Sequence, residues 1–139
     1  MPVADVVPDA LTDPVRTEIL DAVDRANGVW VDTTNNLNVS QLTSSGWVAG
    51  DLLQADLAEI EQLRKASHRR ANTKVDFEVV NVTLDAPGHA IVHTRETWSA
   101  VITSMATGTV VQQIPPTTYS ETYIVEFQNG FWVVTRNDV

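Results

Sequence analysis

Residues 119–134 read Tyr119-Ser120-Glu121-Thr122-Tyr123-Ile124-Val125-Glu126-Phe127-Gln128-Asn129-Gly130-Phe131-Trp132-Val133-Val134. Tyr119, Glu121, Tyr123, Val125 and Phe127 fall on one parity, the period of a strand with one face buried. Asn129-Gly130 supplies two residues that tolerate positive φ, which predicts a tight hairpin turn. Phe131 to Arg136 then returns as a strand with Trp132 and Val134 on one face.

Upstream the same period continues. From Thr73, Val75, Phe77 and Val79 alternate, and Val80, Val82 and Leu84 follow after a phase slip that predicts a bulge. Asp85-Ala86-Pro87-Gly88 is turn chemistry. A strand over 89–102 places Ala90, Val92, Thr94, Glu96, Trp98, Ala100 and Ile102 on one face, opposite Ile91, His93, Arg95, Thr97, Ser99 and Val101. Ala106-Thr107-Gly108 marks a hairpin tip, and Pro115-Pro116 forces a bend or an edge position in the next strand, because proline has no N–H for the ladder. Residues 73–137 therefore predict a four-strand antiparallel meander.

The N-terminal half has the helical period instead. Asp13 is placed to cap and Pro14 to start a helix. Val15, Ile19, Ala22, Val23, Ala26 and Trp30 then draw one apolar stripe over 14–36. A turn or so of helix is expected near Val39–Thr43. A second long helix carries the stripe Val48, Leu52, Ala55, Leu57, Ile60 and Leu63, with Asp51, Asp56, Glu59, Glu61 and Arg64 assigned to its solvent face. The expected fold is α+β: N-terminal helices packed on a curved, mainly antiparallel four-strand sheet, cone-like in shape. Residues 1–12 read as a tail or linker and 13–139 as a single domain.

Composition narrows the function classes. The formal net charge of −9 repels phosphate backbones and anionic lipid, so no nucleic acid and no direct membrane insertion are expected. The absence of cysteine removes disulfides, thiolate nucleophiles and cysteine-bound zinc. No stretch has the signal-peptide or membrane-spanning pattern, so the chain as given reads as soluble, as would an excised domain of an anchored protein. No cofactor signature is present. Five basic residues, Arg64, Lys65, Arg69, Arg70 and Lys74, cluster where the second helix gives way to the sheet. They read first as a solvated helix end complementing the negative dipole, and alternatively as an anionic docking patch.

The run Glu96-Thr97-Trp98, a hairpin, then Tyr119-Ser-Glu121-Thr-Tyr123-Ile-Val125 and Gly130-Phe-Trp132-Val-Val134 resembles the cone-shaped domains related to nuclear transport factor two, the SnoaL-like superfamily. Within it the pattern is most similar to the IMS-type domain of plastid and cyanobacterial division proteins and their bacterial relatives. The resemblance covers roughly residues 14–137 and implies the cone fold. The superfamily spans isomerases, dehydratases, hydrolases, transport adaptors and assembly domains, so fold does not select a function.

Glu96 and Glu121 share strand faces with apolar and aromatic neighbours, where burial would raise a carboxyl pKa. With Trp47, Trp98, Tyr119 and Tyr123 they form the predicted pocket, Trp47 covering the open end of the cone or docking on a partner. The bland alternative makes both glutamates rim residues bonded to tyrosine hydroxyls and backbone N–H groups. His89 and His93 point to one side near a turn, and His68 lies elsewhere, so no metal site is expected.

Two functional readings follow. The favoured one is a non-catalytic binding or assembly module, part of a larger envelope- or division-associated protein, with a protein partner or a homodimer. The other is a small cone-fold enzyme using Glu96 or Glu121 as general acid or base, or a carrier of a small apolar ligand. An open pocket with inward carboxylates favours the second group, a filled cone the first.

Overall fold

The computed structural model describes residues 6–139. Helix α1 spans Asp13–Asn36, α2 Val39–Ser44 and α3 Gly50–Ala66. They are followed by strands β1 His68–Ala86, β2 His89–Ser104, β3 Val110–Gln128 and β4 Phe131–Asp138. The strands pair in chain order as one antiparallel sheet. The α+β arrangement of helices against a curved sheet is the one the sequence predicts.

The helix ends follow from local chemistry. Thr12, not Asp13, caps α1, its hydroxyl accepting from the Val15 N–H, while Asp13 sits in the first turn with Pro14. Leu37 closes α1 in the left-handed region, and Asn38 caps α2 by accepting from the Gln41 N–H. Ser67 closes α3 at φ 55, and the chain turns at once into β1. The sheet therefore begins at His68 rather than Thr73, because residues 68–72 pair with 100–104 of β2.

Breaks in register bend the long strands. In β1 the register shifts at Val75, at Val80 and at Asp85, so the strand carries two slips beyond the one its alternation shows, and the exposed Val75 leaves the inward row. Pro115 and Pro116 lie opposite Ser99 in a further shift between Trp98 and Ala100, on a stretch of β3 that no fourth strand flanks. Asn129 and Gly130 both hold positive φ, 53° and 85°, as the tight hairpin requires.

The apolar core fills one end of the cone. Ile19, Val23 and Leu42 from the helices meet Val92, Val125 and Val134 from the sheet, all at 0% exposure. Alpha3 is anchored to β4 through Val48, which bridges Val134, and through the Ala49 N–H donating to the Val134 carbonyl at 3.1 Å. Along the inward face of β2 the residues change from Ala90 and Val92 to Thr94, Glu96 and Trp98, and there the apolar packing gives way to a cavity.

Part of the tail reading falls on residues 1–5, which lie outside the described residues. Beyond them, the Pro8 carbonyl accepts from the Gly88 N–H at 2.8 Å, so this segment lies against the β1–β2 turn. Gly88 holds φ +68°, and an added Cβ would meet Val7 Cγ1 at 2.6 Å and Phe127 Cβ at 3.4 Å. Gly88→Ala is expected to cost about 1–2 kcal/mol in urea unfolding. Gly28 sits in α1 with nothing within 4 Å of an added Cβ, so Gly28→Ala is expected to gain about 0.5–1 kcal/mol. Equal effects of the two substitutions would contradict the assigned backbone.

Candidate functional site

Glu96 is 0% exposed and accepts three hydrogen bonds. Thr94 Oγ1 and Trp98 Nε1 donate from the same face of β2, the latter at 2.8 Å, and the Tyr123 hydroxyl donates from β3 at 2.6 Å. Alternation dictates the first two, since residues two apart on a strand share a face. Asn27 of α1 donates through Nδ2 to the Tyr123 oxygen at 3.1 Å, tying the helix to the network. Burial first, and the adjoining Glu121 and Glu96 carboxyls next, hold the Tyr123 phenol well above its usual range, so it stays a donor.

Glu121 stands beside this hub. Its Oε1 accepts from Asn137 Nδ2 at 3.0 Å and lies 3.4 Å from the Tyr123 oxygen. Desolvation is the largest cause that moves its carboxyl up to about 7; the Asn137 hydrogen bond opposes the rise and the Glu96 charge adds to it. Glu121 therefore sits where a general acid or base would, but no histidine or cysteine lines the cavity among the described residues.

The cavity encloses about 280 Å³ between α1, α3 and the far half of the sheet. Trp30 and Trp98 meet edge to face at 5.3 Å on its wall, and Trp30 Nε1 donates to Glu59 at 2.9 Å. Glu96, Trp98, Tyr119 and Glu121 are brought together there, with Tyr123 immediately beneath. Trp47 is not: its carbonyl accepts from the Val134 N–H, and the Arg25 guanidinium covers its ring at 5.0 Å. The strand-like bridge of the next residue, Val48, to Val134 draws Trp47 to β4 instead of the cone's open end.

Asp56 and Glu59 of α3, with Asn27 of α1 and Asn137 of β4, are the site residues that the sequence reading missed. Both acids belong to the expected solvent face of α3, yet Asp56 is 7% exposed and lines the cavity with Glu59. The signal was present: Leu52, Asp56, Ile60 and Leu63 recur at four, four and three residues, the spacing of the buried stripe. Burial, with a smaller contribution from the Glu59 charge, pushes the Asp56 carboxyl up to about 7.

The basic cluster disperses. Arg64 Nη2 donates to the Leu37 carbonyl at 2.6 Å, Lys65 pairs with Glu61, and Lys74 pairs with Asp24. Arg69, Arg70 and Lys74 belong to β1, not to the helix end, and Arg70 lines the cavity. His89 bonds Asp85 and His93 bonds Thr122, both away from the cavity. Among the described residues no three His, Asp or Glu side chains are grouped to hold a metal, and no helix is long and apolar enough to cross a membrane.

No protein-family profile matches the chain, and no curated protein sequence does. Solved structures do. The intermembrane space region of chloroplast protein ARC6 aligns over 94% of this chain and 98% of that chain at TM-score 0.74 and 17% identity. The beta subunit of a putative aromatic-ring-hydroxylating dioxygenase from Novosphingobium aromaticivorans aligns over 91% and 89% at TM-score 0.53 and 12% identity. A ketosteroid isomerase-like protein from Erwinia carotovora atroseptica aligns over 86% and 93% at 0.49 and 16%. The chain thus shares the fold of the ARC6 intermembrane space region and, more distantly, that of the dioxygenase beta subunit.

The raised carboxyls fix a pH dependence. Asp56 moves from an ordinary 3.8 to about 7 on folding, so the folded chain holds this proton more tightly than the unfolded one. The resulting penalty is absent below about pH 4 and complete above about pH 7, where it reaches on the order of 4 kcal/mol. Asp56→Asn is expected to raise stability at pH 8 by a large part of that amount and to change it little at pH 4, measured by urea unfolding at both values. A variant less stable at pH 8 than the parent would show that the carboxylate has a compensating partner.

Proposed function

We propose that this chain is a non-catalytic binding and assembly module whose cone cavity receives the recognised group. The observation that carries this reading is the state of Glu96: the most deeply buried carboxyl of the site accepts three internal hydrogen bonds at no exposure and serves as a structural joint. Glu121 has Asn137 and Tyr123 beside it, groups that position a carboxyl but do not relay a proton to a substrate at neutral pH. The fold likeness to the intermembrane space region of ARC6, over nearly the full length of both chains, supports a domain working inside a larger envelope- or division-associated protein. Residues 13–139 act as that domain.

A second copy is the partner proposed for the outer face of the sheet. Ile91 and Ile124 are register partners there and form a small apolar pair. Val101 lies at the far end of the same strand, with His93, Arg95 and Thr97 between, so the contact centres on the isoleucine pair. Light scattering over a concentration series is expected to show a dimer that Ile124→Lys dissociates, and a monomer at every concentration would remove it.

The enzyme reading retains one specific support, the Glu121 carboxyl at about 7, which suits general acid–base work. Glu121→Gln separates the two. In the binding reading the variant unfolds within about 1–2 kcal/mol of the parent and keeps its cavity ligands within a few-fold, as read by a fragment screen with protein-observed NMR. A turnover reaction that falls roughly a hundredfold in the folded variant would establish the enzyme instead.

A further inference from the structure

The buried groups left without partners around the cavity, among the described residues, are acceptors. Asp56 is more than nine-tenths buried, lines the cavity, and has no hydrogen-bond or ion-pair partner among the described residues. Asn137 Oδ1, on another wall of the same cavity, is buried and also lacks a donor, because Asn137 spends its Nδ2 on Glu121. Backbone and side-chain acceptors that leave water are nearly always paired, so the unpaired Asp56 carboxylate on the cavity, with a second orphan acceptor buried in the Asn137 side chain of its wall, points to what is missing: donors.

The charge around them has the same sense. Asp56 and Glu59 lie one turn apart on α3, Glu96 is contributed by β2 and Glu121 by β3, against a single guanidinium, Arg70 of β1, whose Nε is engaged by Asn72. None of these carboxylates pairs with Arg70 within ion-pair distance. The indoles of Trp30 and Trp98 add walls of the kind that attract cations. At about 280 Å³ the space falls just under the roughly 300–1,000 Å³ of small-molecule sites, so the occupant is compact.

We infer that the cavity recognises an organic ammonium group, seated on Asp56 and walled by Trp30 and Trp98. The inference rests on the cavity-binding reading above and names its ligand class. An ammonium supplies several donors and one positive charge, whereas an apolar or anionic ligand would leave Asp56 buried and uncompensated. The ammonium belongs either to a free amine or to a lysyl side chain of a partner, and the two sources share this chemistry.

Titration calorimetry at pH 8 tests it with benzylamine, benzyl alcohol, benzoate and doubly capped lysine, which present a cation, a neutral isostere, an anion and a lysyl side chain. Benzylamine or capped lysine is expected to bind at least tenfold tighter than benzyl alcohol, and the tighter of the two cations identifies the source. Asp56→Asn is expected to weaken the cation at least tenfold while Glu61→Gln, on the exposed face of α3, leaves it unchanged. Lowering the pH to 5.5 is expected to weaken the parent in the same direction, since Asp56 and Glu121 take up protons there while Glu59, Glu96 and Arg70 also face the ligand. Benzyl alcohol or benzoate binding as tightly as the cations, with NMR shifts at cavity residues, would overturn the cation inference and leave the binding module standing. Failure of both cations to bind, or full cation affinity in a folded Asp56→Asn, would also overturn it.

Discussion

A carboxylate removed from water must be given donors, and the side chains that answer to Glu96 organise the middle of this molecule. Thr94 and Trp98 are fixed by strand alternation, but Tyr123 reaches Glu96 only because β2 and β3 pair with Val92 opposite Tyr123 and Glu96 opposite Tyr119. A shift of one residue would turn Tyr123 outward and leave the carboxylate short of a donor. Asn27 then links the Tyr123 hydroxyl to α1, and Trp30 of the same helix meets Trp98. One buried acid thereby sets strand register and helix placement together, and networks of this kind are worth their stability only when every member is satisfied.

The hub also explains why the cone is not filled throughout. Apolar side chains from α1, α2 and the sheet close the end near Ala90 and Val92, where nothing polar needs company. Past Thr94 the inward row carries acids, amides and indole N–H groups, which pack against one another through directed bonds and leave space between them. Glu121 and Asp56 border that space with carboxyls lifted far from their ordinary range by burial. Stability given up in this way concentrates where molecules recognise something. The structure is therefore neither the filled cone of a purely architectural domain nor an open pocket with a free base.

Strand alternation and turn chemistry made most of the sheet legible. The inward row of β2, the Asn129-Gly130 turn, the bulge at Val80 and the pairing of Glu96 with aromatic neighbours all follow from a period of two and from residues that tolerate positive φ. What was not legible has physical reasons. Residues 68–72 lack alternation and become strand only through their partners on β2. Trp47 looked free because nothing local in Ser44-Ser45-Gly46 shows that β4 will bridge the next residue. Asp56 was assigned by its charge when its spacing from Leu52 and Ile60 placed it inward, and Arg70 was counted with its charged neighbours although it belongs to a different element. Charge is a poor guide to exposure where a cavity, and not a core, lies behind the helix.

The central claim is that this cavity holds desolvated acids in a preformed polar site. Carbon-13 NMR of the side-chain carboxyls across a pH titration tests it most directly, because each carboxyl reports its own proton. Two resonances are predicted to titrate near pH 7, one lost in Asp56→Asn and the other in Glu121→Gln. Asp56 and Glu121 both titrating near 4 would mean that water reaches them freely, and the account of the site would be wrong.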